Sequence, residues 1–219
     1  MATTRASITR PSAPRLSARR PAPTGPCSRT SISARNGVCA VLPNEPRPAL
    51  SVADIRAGTT ADFALLPAIE DDADRRFELW GYGFCRDVDC LDSLAAARGL
   101  AEGLLWLAVV DGKPVGFACG WTVDGQGHLA ELSVLGAHGG RGIGRSLLQA
   151  FEHAARARGH RRVTLLTYID VPWNAPWYRR QGYEAFVPDT RMPELLALCA
   201  DEQVRGIEQA PRTAMVKHF

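Results

Sequence analysis

The clearest pattern of apolar and polar residues runs through residues 128–158, HLAELSVLGAHGGRGIGRSLLQAFEHAARAR. Apolar and polar positions alternate over 128–135, which predicts a β-strand. Its two faces carry Leu129, Glu131, Ser133 and Leu135 on one side and Leu132 and Val134 on the other. From Ile143 onward apolar residues recur at helical spacing up to Gly159, which predicts an amphipathic helix that ends there. A strand, a glycine-rich turn and a helix therefore follow one another.

The remaining pattern predicts more strands than helices. Strands are predicted over 51–56, 104–110, 113–123, 162–168, 184–187 and 213–219, the last of them at the sheet edge. Helices are predicted after a cap at Thr59 or Thr60, over 91–99 and over 193–205. Asp111-Gly112 and residues 124–127 are predicted turns, so their flanking strands pair antiparallel. Strand 162–168 follows the long helix and is predicted to pair parallel with an earlier strand. This order predicts an α/β domain with a mixed, mostly antiparallel sheet.

The predicted turn between strand 128–135 and its helix contains five glycines, at 136, 139, 140, 142 and 144. Glycines at a helix start allow a tight turn that aims unpaired N–H groups outward. Together with the helix dipole and Arg141 and Arg145, these donors predict a phosphate or pyrophosphate site. The run lacks the GK[ST] of a P-loop, and its spacing does not fit the dinucleotide GxGxxG pattern. On the loop alone, a tight connection without a ligand remains an alternative.

Charge divides the chain at about residue 50. Eight arginines and one acid give residues 1–50 a net charge of +7, whereas residues 51–219 carry 18 basic and 22 acidic groups and a net charge of −4. The first segment contains no aromatic residue and is rich in Ser, Pro and Arg, so it is predicted to be a disordered arm preceding one folded domain, 51–219. There are three explanations for this segment: an organellar transit peptide, a basic arm for nucleic acid or membrane, and an overlong reading frame or leader without function. We favour the last.

The six cysteines show neither a CxxC pair nor clustering with histidine, so we expect no metal and reduced thiols in a cytoplasmic protein. No apolar run is long enough for a transmembrane helix. We therefore expect no membrane association. We also expect no nucleic-acid partner for the folded domain, which would be a monomer or a homodimer.

Two motifs in order resemble those of the GNAT (GCN5-related) acyl-CoA N-acyltransferases. Residues 139–144, GGRGIG, resemble the family's Arg/Gln-x-x-Gly-x-Gly/Ala pyrophosphate loop, which joins the fourth strand to the third helix. Tyr178-Arg-Arg-Gln-Gly182-Tyr183 resembles the family's closing Tyr-x-x-x-Gly-Phe signature. Gly139 departs from the family, because Arg or Gln is expected there and glycine offers only its backbone. The resemblance covers about 51–219 and implies the GNAT fold.

The resemblance also implies a site for acetyl-CoA, used as a co-substrate. Backbone groups of the loop would hold the pyrophosphate, and main-chain groups of the splayed fourth strand would pair with the pantetheine arm. Tyr178 would protonate the departing thiolate, and Glu131 would be the base for the amine. Asn174 would either reach the cofactor or cap a helix. The cofactor-binding residues implied in this way are Leu132, Val134, Gly139, Gly140, Arg141, Gly142, Ile143, Gly144, Arg145 and Asn174.

The acceptor is less defined. In the family, the segment after the first strand lines the acceptor pocket, so Glu70 and Asp74 are candidates to attract a cationic amine. The ordinary alternative for this acidic helix is a solvated face ion-paired with Arg75 and Arg76. The resemblance implies N-acetyl transfer to a primary amine, of a small molecule rather than a protein, by direct attack in a ternary complex. Acetylation of a protein N-terminus or an aminoacyl-tRNA, and an acyl-CoA-binding module without catalysis, are the alternatives.

Overall fold

The computed structural model describes residues 53–87, 91–205 and 209–219. The predicted disordered arm, residues 1–50, lies outside the described residues, as does the start of the first predicted strand. The described strands are β1 (Asp54–Ala57), β2 (Leu105–Val110), β3 (Lys113–Val123), β4 (Gln126–Val134), β5 (Arg162–Tyr168), β6 (Glu184–Phe186) and β7 (Arg212–His218). The described helices are α1 (Leu66–Glu78), α2 (Ser93–Ala101), α3 (Ile143–Ala157), α4 (Ala175–Arg180) and α5 (Pro193–Val204).

The seven strands form one sheet in the order β1-β2-β3-β4-β5-β7-β6. Neighbouring strands are antiparallel except β4 and β5, which are parallel. The predicted α/β fold with a mixed, mostly antiparallel sheet flanked by helices is therefore confirmed. The position of the last strand was predicted wrongly. β7 pairs with both β5 and β6, so β6 forms the edge instead.

Two hairpin turns are made by residues that tolerate the left-handed backbone conformation. Asp111 and Gly112 have φ of 50° and 76°, and Asp124 and Gly125 have φ of 49° and 68°. Two consecutive positive φ values match the twist of the strands that such a turn joins, which is why Asp-Gly is favoured there. The second turn is shorter than predicted, since β4 already begins at Gln126.

A β-bulge interrupts the pairing of β3 with β4. Cys119 pairs with Glu131 and Gly120 pairs with Leu129, so Ala130 is an extra residue on β4. An extra residue reverses which face the following side chains take. Leu129 therefore packs in the same cluster as Leu132, and not beside Glu131 as strict alternation predicted. Because of the bulge, Glu131 and Ser133 lie on the face of the sheet opposite α3.

Each face of the sheet has its own core. On one face, α3 contributes Leu147, Leu148 and Phe151, all buried, against β2, β3, β4 and β5. On the other face, Leu66 and Ile69 of α1 pack with Phe117. The Gly-ended amphipathic helix predicted from the sequence is confirmed in α3, and Gly159 follows it with φ of 85°.

The strands β4 and β5 pair over only part of their length. Their pairing runs from Gly127 opposite Val163 to Leu129 opposite Leu165 and extends no further. Beyond the bulge, the edge of β4 that faces β5 is left without a strand partner. This opening in the middle of the sheet places the candidate site.

Candidate functional site

A cavity of about 1090 Å³ lies at the opening between β4 and β5. It is lined by β4, by the turn between β4 and α3, by β5 and by α4. A continuous cavity that includes a splayed strand edge and a helix N-terminus can hold an extended ligand with an anionic group.

The glycine turn takes the shape that the sequence predicted. Gly140 and Gly142 have φ of 71° and 83°, and a Cβ at either would meet no atom within 4 Å. Ser146 donates its N–H to the Gly142 carbonyl and so begins the hydrogen bonding of α3. The N–H groups of residues 143–145 precede this bond and have no intrahelical acceptor. The loop therefore offers several backbone donors beside open space, which fits a pyrophosphate.

The two arginines predicted at this loop are placed differently. Arg145 lines the cavity, where its Nε donates to Oε1 of Gln181 at 3.0 Å. Arg141 is exposed and is not among the lining residues. Gly139, Gly140, Gly142, Ile143 and Gly144 all line the cavity.

The free edge of β4 presents the main-chain groups of Leu132 and Val134. Leu135 donates its N–H toward β3, to the Val115 carbonyl at 2.9 Å. Main-chain groups alternate in direction along a strand, so those of Ser133 also face β3 and those of Leu132 and Val134 face away from it. Both residues line the cavity. Their N–H and C=O groups can therefore pair with an extended ligand as an added strand would.

Glu131 lines the same cavity and accepts a hydrogen bond of 2.7 Å from the Ser133 hydroxyl. Burial raises the pKa of Glu131, although hydrogen bonding and the charges of Arg212 and Arg76 partly oppose the rise. A carboxylate with a raised pKa is a stronger base than one in water.

Tyr178 of α4 also lines the cavity, with its ring 4.9 Å from that of Trp177 and 5.6 Å from that of Tyr183. Burial raises the pKa of Tyr178, and the negative charge of Glu131 raises it further. The phenol therefore stays protonated at neutral pH, which a proton donor requires. Glu131 and Tyr178 line the same cavity, so the structure brings the two predicted catalytic residues together.

Asn174 is the residue that precedes α4, and its carbonyl accepts from the N–H groups of Trp177 and Tyr178. Its side chain makes no capping hydrogen bond and lines the cavity. Of the two roles predicted for it, this geometry favours contact with a ligand.

A group of aromatic rings forms another part of the cavity wall, which we call the aromatic end: Phe77, Phe84, Tyr168 and Trp173. Phe77 stands edge-on to Tyr168 at 5.7 Å and to Trp173 at 5.4 Å between ring centroids. Two arginines lie over these rings, Arg76 over Trp173 and Arg212 over Tyr168.

The acidic residues predicted for the acceptor separate in the structure. Asp74 lines the cavity. Glu70 is buried, with 8% of its surface exposed, and is not among the lining residues. The helix turns Glu70 toward the core, a distinction that a run of acids in the sequence does not reveal.

Sequence reasoning missed the arginines of the aromatic end. The sequence places Arg76 with Arg75 on a solvated face, and both are exposed, but Arg75 pairs with Asp71 at 3.2 Å whereas Arg76 also lines the cavity. A helical projection of α1 places Arg76 at the flank of the buried face of Ala73 and Phe77, whereas Arg75 lies opposite that face. Nothing in the sequence signals that Arg212 of β7 comes beside Tyr168.

Metal and membrane signals are absent from the part of the chain that the structure describes. Within residues 53–87, 91–205 and 209–219, no three His, Cys, Asp or Glu side chains form a group suited to a metal ion. Over the same ranges, no helix combines the length and the apolar character needed to cross a bilayer.

Comparison with known proteins agrees with this geometry. Residues 66–183 match the model of the acetyltransferase (GNAT) family. Among solved structures, Arabidopsis thaliana Naa50 in complex with the bisubstrate analogue CoA-Ac-MVNAL has a TM-score of 0.56 at 15% identity, covering 76% of this chain and 99% of that chain. The PaiA N-acetyltransferase of Thermoplasma acidophilum, in complex with coenzyme A, has a TM-score of 0.52 at 15% identity, covering 77% and 99%.

A third similar structure is the N-acetylglutamate synthase of Neisseria gonorrhoeae, complexed with coenzyme A and N-acetyl-glutamate. It has a TM-score of 0.55 at 19% identity and covers 77% of this chain, which spans only 35% of that longer protein. At these identities the three likenesses show a shared fold.

Proposed function

This chain belongs to the GNAT acetyltransferase family, and we propose that it transfers the acetyl group of acetyl-CoA to a primary amine of a small molecule. The amine attacks the thioester directly while both substrates are bound. Cys85 and Cys119, both buried in the described ranges, carry free thiols, which agrees with a cytoplasmic location for the proposed enzyme.

One observation carries the proposal. The glycine loop, the free edge of β4, Glu131 and Tyr178 line a single cavity. A donor-rich loop without the proton-transfer pair would suit any phosphate ligand, and the pair without the loop would leave the acyl donor unheld. Their combination supports acyl transfer rather than acyl-CoA binding alone.

One set of residues holds the acyl donor. Backbone N–H groups of the loop bind the pyrophosphate of the donor, and the Leu132 and Val134 main chain aligns its arm. Asn174 adds a polar contact to the donor. Bound acetyl-CoA supplies an activated thioester carbonyl.

Proton movements fall to two side chains. Glu131 takes the proton that the attacking amine must lose, and burial makes it basic enough to do so. A β4 N–H on the free edge donates to the carbonyl oxygen as negative charge develops there. As the carbon–sulfur bond breaks, the Tyr178 hydroxyl donates its proton to the sulfur. The products are an amide and CoA.

The test is acetyl-CoA turnover over a panel of amines by the wild type, Tyr178→Phe and Glu131→Gln. General acid–base catalysis contributes roughly 10²- to 10⁴-fold, so each variant should lose at least about 100-fold in kcat. Because Glu131 must be deprotonated, the wild-type rate should rise with pH through the raised pKa of this carboxyl, and Glu131→Gln should remove that limb of the profile.

A matched control is Tyr82→Phe, because the Tyr82 hydroxyl bonds to Asp170 at 2.9 Å and does not line the cavity. This variant should keep the wild-type rate. All three variants should still be stabilised against heat by acetyl-CoA, since ligand binding to the folded state raises the melting temperature. Turnover indifferent to Tyr178→Phe and Glu131→Gln would refute the assigned roles.

A further inference from the structure

Charged groups at the aromatic end of the cavity are unevenly paired. Arg212 is bound by Glu202 through two hydrogen bonds, of 2.8 and 2.7 Å. Arg76 instead lies over two aromatic rings, and Asp74 and Glu131, whose charges act on it, line the same cavity. Its guanidinium carbon lies 5.0 Å from the Trp173 ring centroid and 5.8 Å from that of Phe77, and no carboxylate of the described residues forms an ion pair with it.

Stacking on an aromatic ring holds the guanidinium by its flat face. The N–H donors lie in the plane of the group, at its rim, so a stacked arginine still presents its donor fork. That fork matches the two oxygens of a carboxylate. Arg76 therefore offers a prepared cationic donor group to whatever enters the cavity.

The electrostatics of the pocket point the same way. Partial removal from water lowers the pKa of Arg76, and the charges of Asp74 and Glu131 oppose this shift only in part. Arg76, Glu131 and Tyr178 line the same cavity, and the charges of Arg76 and Glu131 affect each other's pKa, which places Arg76 near the proton-transfer pair. An anionic group bound by Arg76 would thus lie close to the amine that Glu131 deprotonates.

We propose that the acceptor is an amino acid whose carboxylate is bound by Arg76 while its amino group faces Glu131. This inference rests on the proposed function and specifies its substrate class. Phe84 and Tyr168, which also line this part of the cavity, provide an apolar surface for the side chain of that amino acid.

The first experiment compares amino acids that carry a primary amine with their α-amides as acceptors. The amide keeps the amine and the side chain but lacks the negative charge. Arg76→Met retains an unbranched side chain against Trp173 and removes the cation. For the preferred amino acid, it should lower kcat/KM by roughly 10- to 100-fold, mainly through KM, while the corresponding amide changes less than about threefold.

Arg75→Gln is the matched control, because Arg75 is the preceding residue of the same helix, is exposed and does not line the cavity. It should leave both acceptors unaffected. Equal losses on amino acid and amide in Arg76→Met would overturn the inference, since Arg76 would then act through the catalytic groups or the fold. A wild-type preference for amides would overturn it as well.

A binding measurement separates this inference from the proposed function. In the presence of CoA, calorimetry should show that the wild type binds N-acetylphenylalanine and other N-acetyl amino acids more tightly than their amides, and that Arg76→Met loses this difference. Such binding without turnover of any amine would refute the proposed function and support the carboxylate site. Turnover of amines without carboxylate-selective binding would support the proposed function and refute the carboxylate site.

Discussion

Replacing Gly142 with alanine isolates the contribution of backbone conformation to the glycine loop. Gly142 has φ of 83° and ψ of −2° and directly precedes α3. An added Cβ would meet no atom within 4 Å, so the substitution introduces no collision. The cost that remains is that of a left-handed conformation for an L-residue with a side chain, about 1–2 kcal/mol.

Whether this cost lowers the free energy of unfolding or the affinity for CoA depends on whether the substituted loop relaxes in the absence of ligand. If the loop keeps its shape without ligand, the free energy of unfolding falls by about 1–2 kcal/mol and the melting temperature by about 2–8 °C. If the loop relaxes, stability is retained and the same strain is imposed when CoA binds, which weakens affinity by roughly 5- to 30-fold. The losses in stability and in binding free energy should therefore add up to about 1–2 kcal/mol.

Gly144→Ala provides the comparison two residues away. Gly144 lies within α3, and its added Cβ would come within 3.9 Å of Trp177 and Val134, an ordinary contact. Alanine in a helix is favoured over glycine by about 0.5–1 kcal/mol, so this variant should be at least as stable as the wild type. Denaturant unfolding and calorimetric titration with CoA measure both quantities. If Gly142→Ala matched Gly144→Ala in both, the positive φ would have no role in the loop.

Two further predictions concern the supports of the site. Arg56 donates hydrogen bonds to the buried Asp62 carboxylate and lowers its pKa to about 2, so the stability from this pair is present above the unfolded pKa of 3.8 and is lost as pH falls toward 2. Asp62→Asn should therefore lower the free energy of unfolding at pH 7 by about 1–2 kcal/mol. In urea titrations between pH 4 and pH 2, the variant's free energy of unfolding should also fall less steeply than that of the wild type, and an unchanged slope would contradict this account. The Asp72 carboxylate accepts a hydrogen bond of 2.7 Å from the Gly136 N–H, where the glycine turn begins. Asp72→Ala should therefore weaken CoA binding by roughly 3- to 10-fold in calorimetry. The neighbouring Asp71→Ala is the control and should leave CoA binding intact.

The sequence alone was sufficient where the signals are local. The α3 helix was predictable because its apolar residues repeat at helical spacing and Gly159 ends it. The glycine turn was predictable because positive φ values at Gly140 and Gly142 suit glycine. Both hairpins follow from Asp-Gly pairs, whose conformational preference needs no distant contact.

The structure alone decided what depends on residues far apart in the chain. An extra residue at Ala130 separates Leu129 from the face of Glu131, and such a bulge reflects how β3 and β4 fit together. The last strand lies inside the sheet because β6 pairs along its outer side, which its own alternation does not reveal. Arg76 faces the cavity because the Trp173 ring, nearly a hundred residues away, lies beneath it. Local preference thus determined the elements and the conformation of the glycine turn, and long-range packing determined which side chains share the cavity.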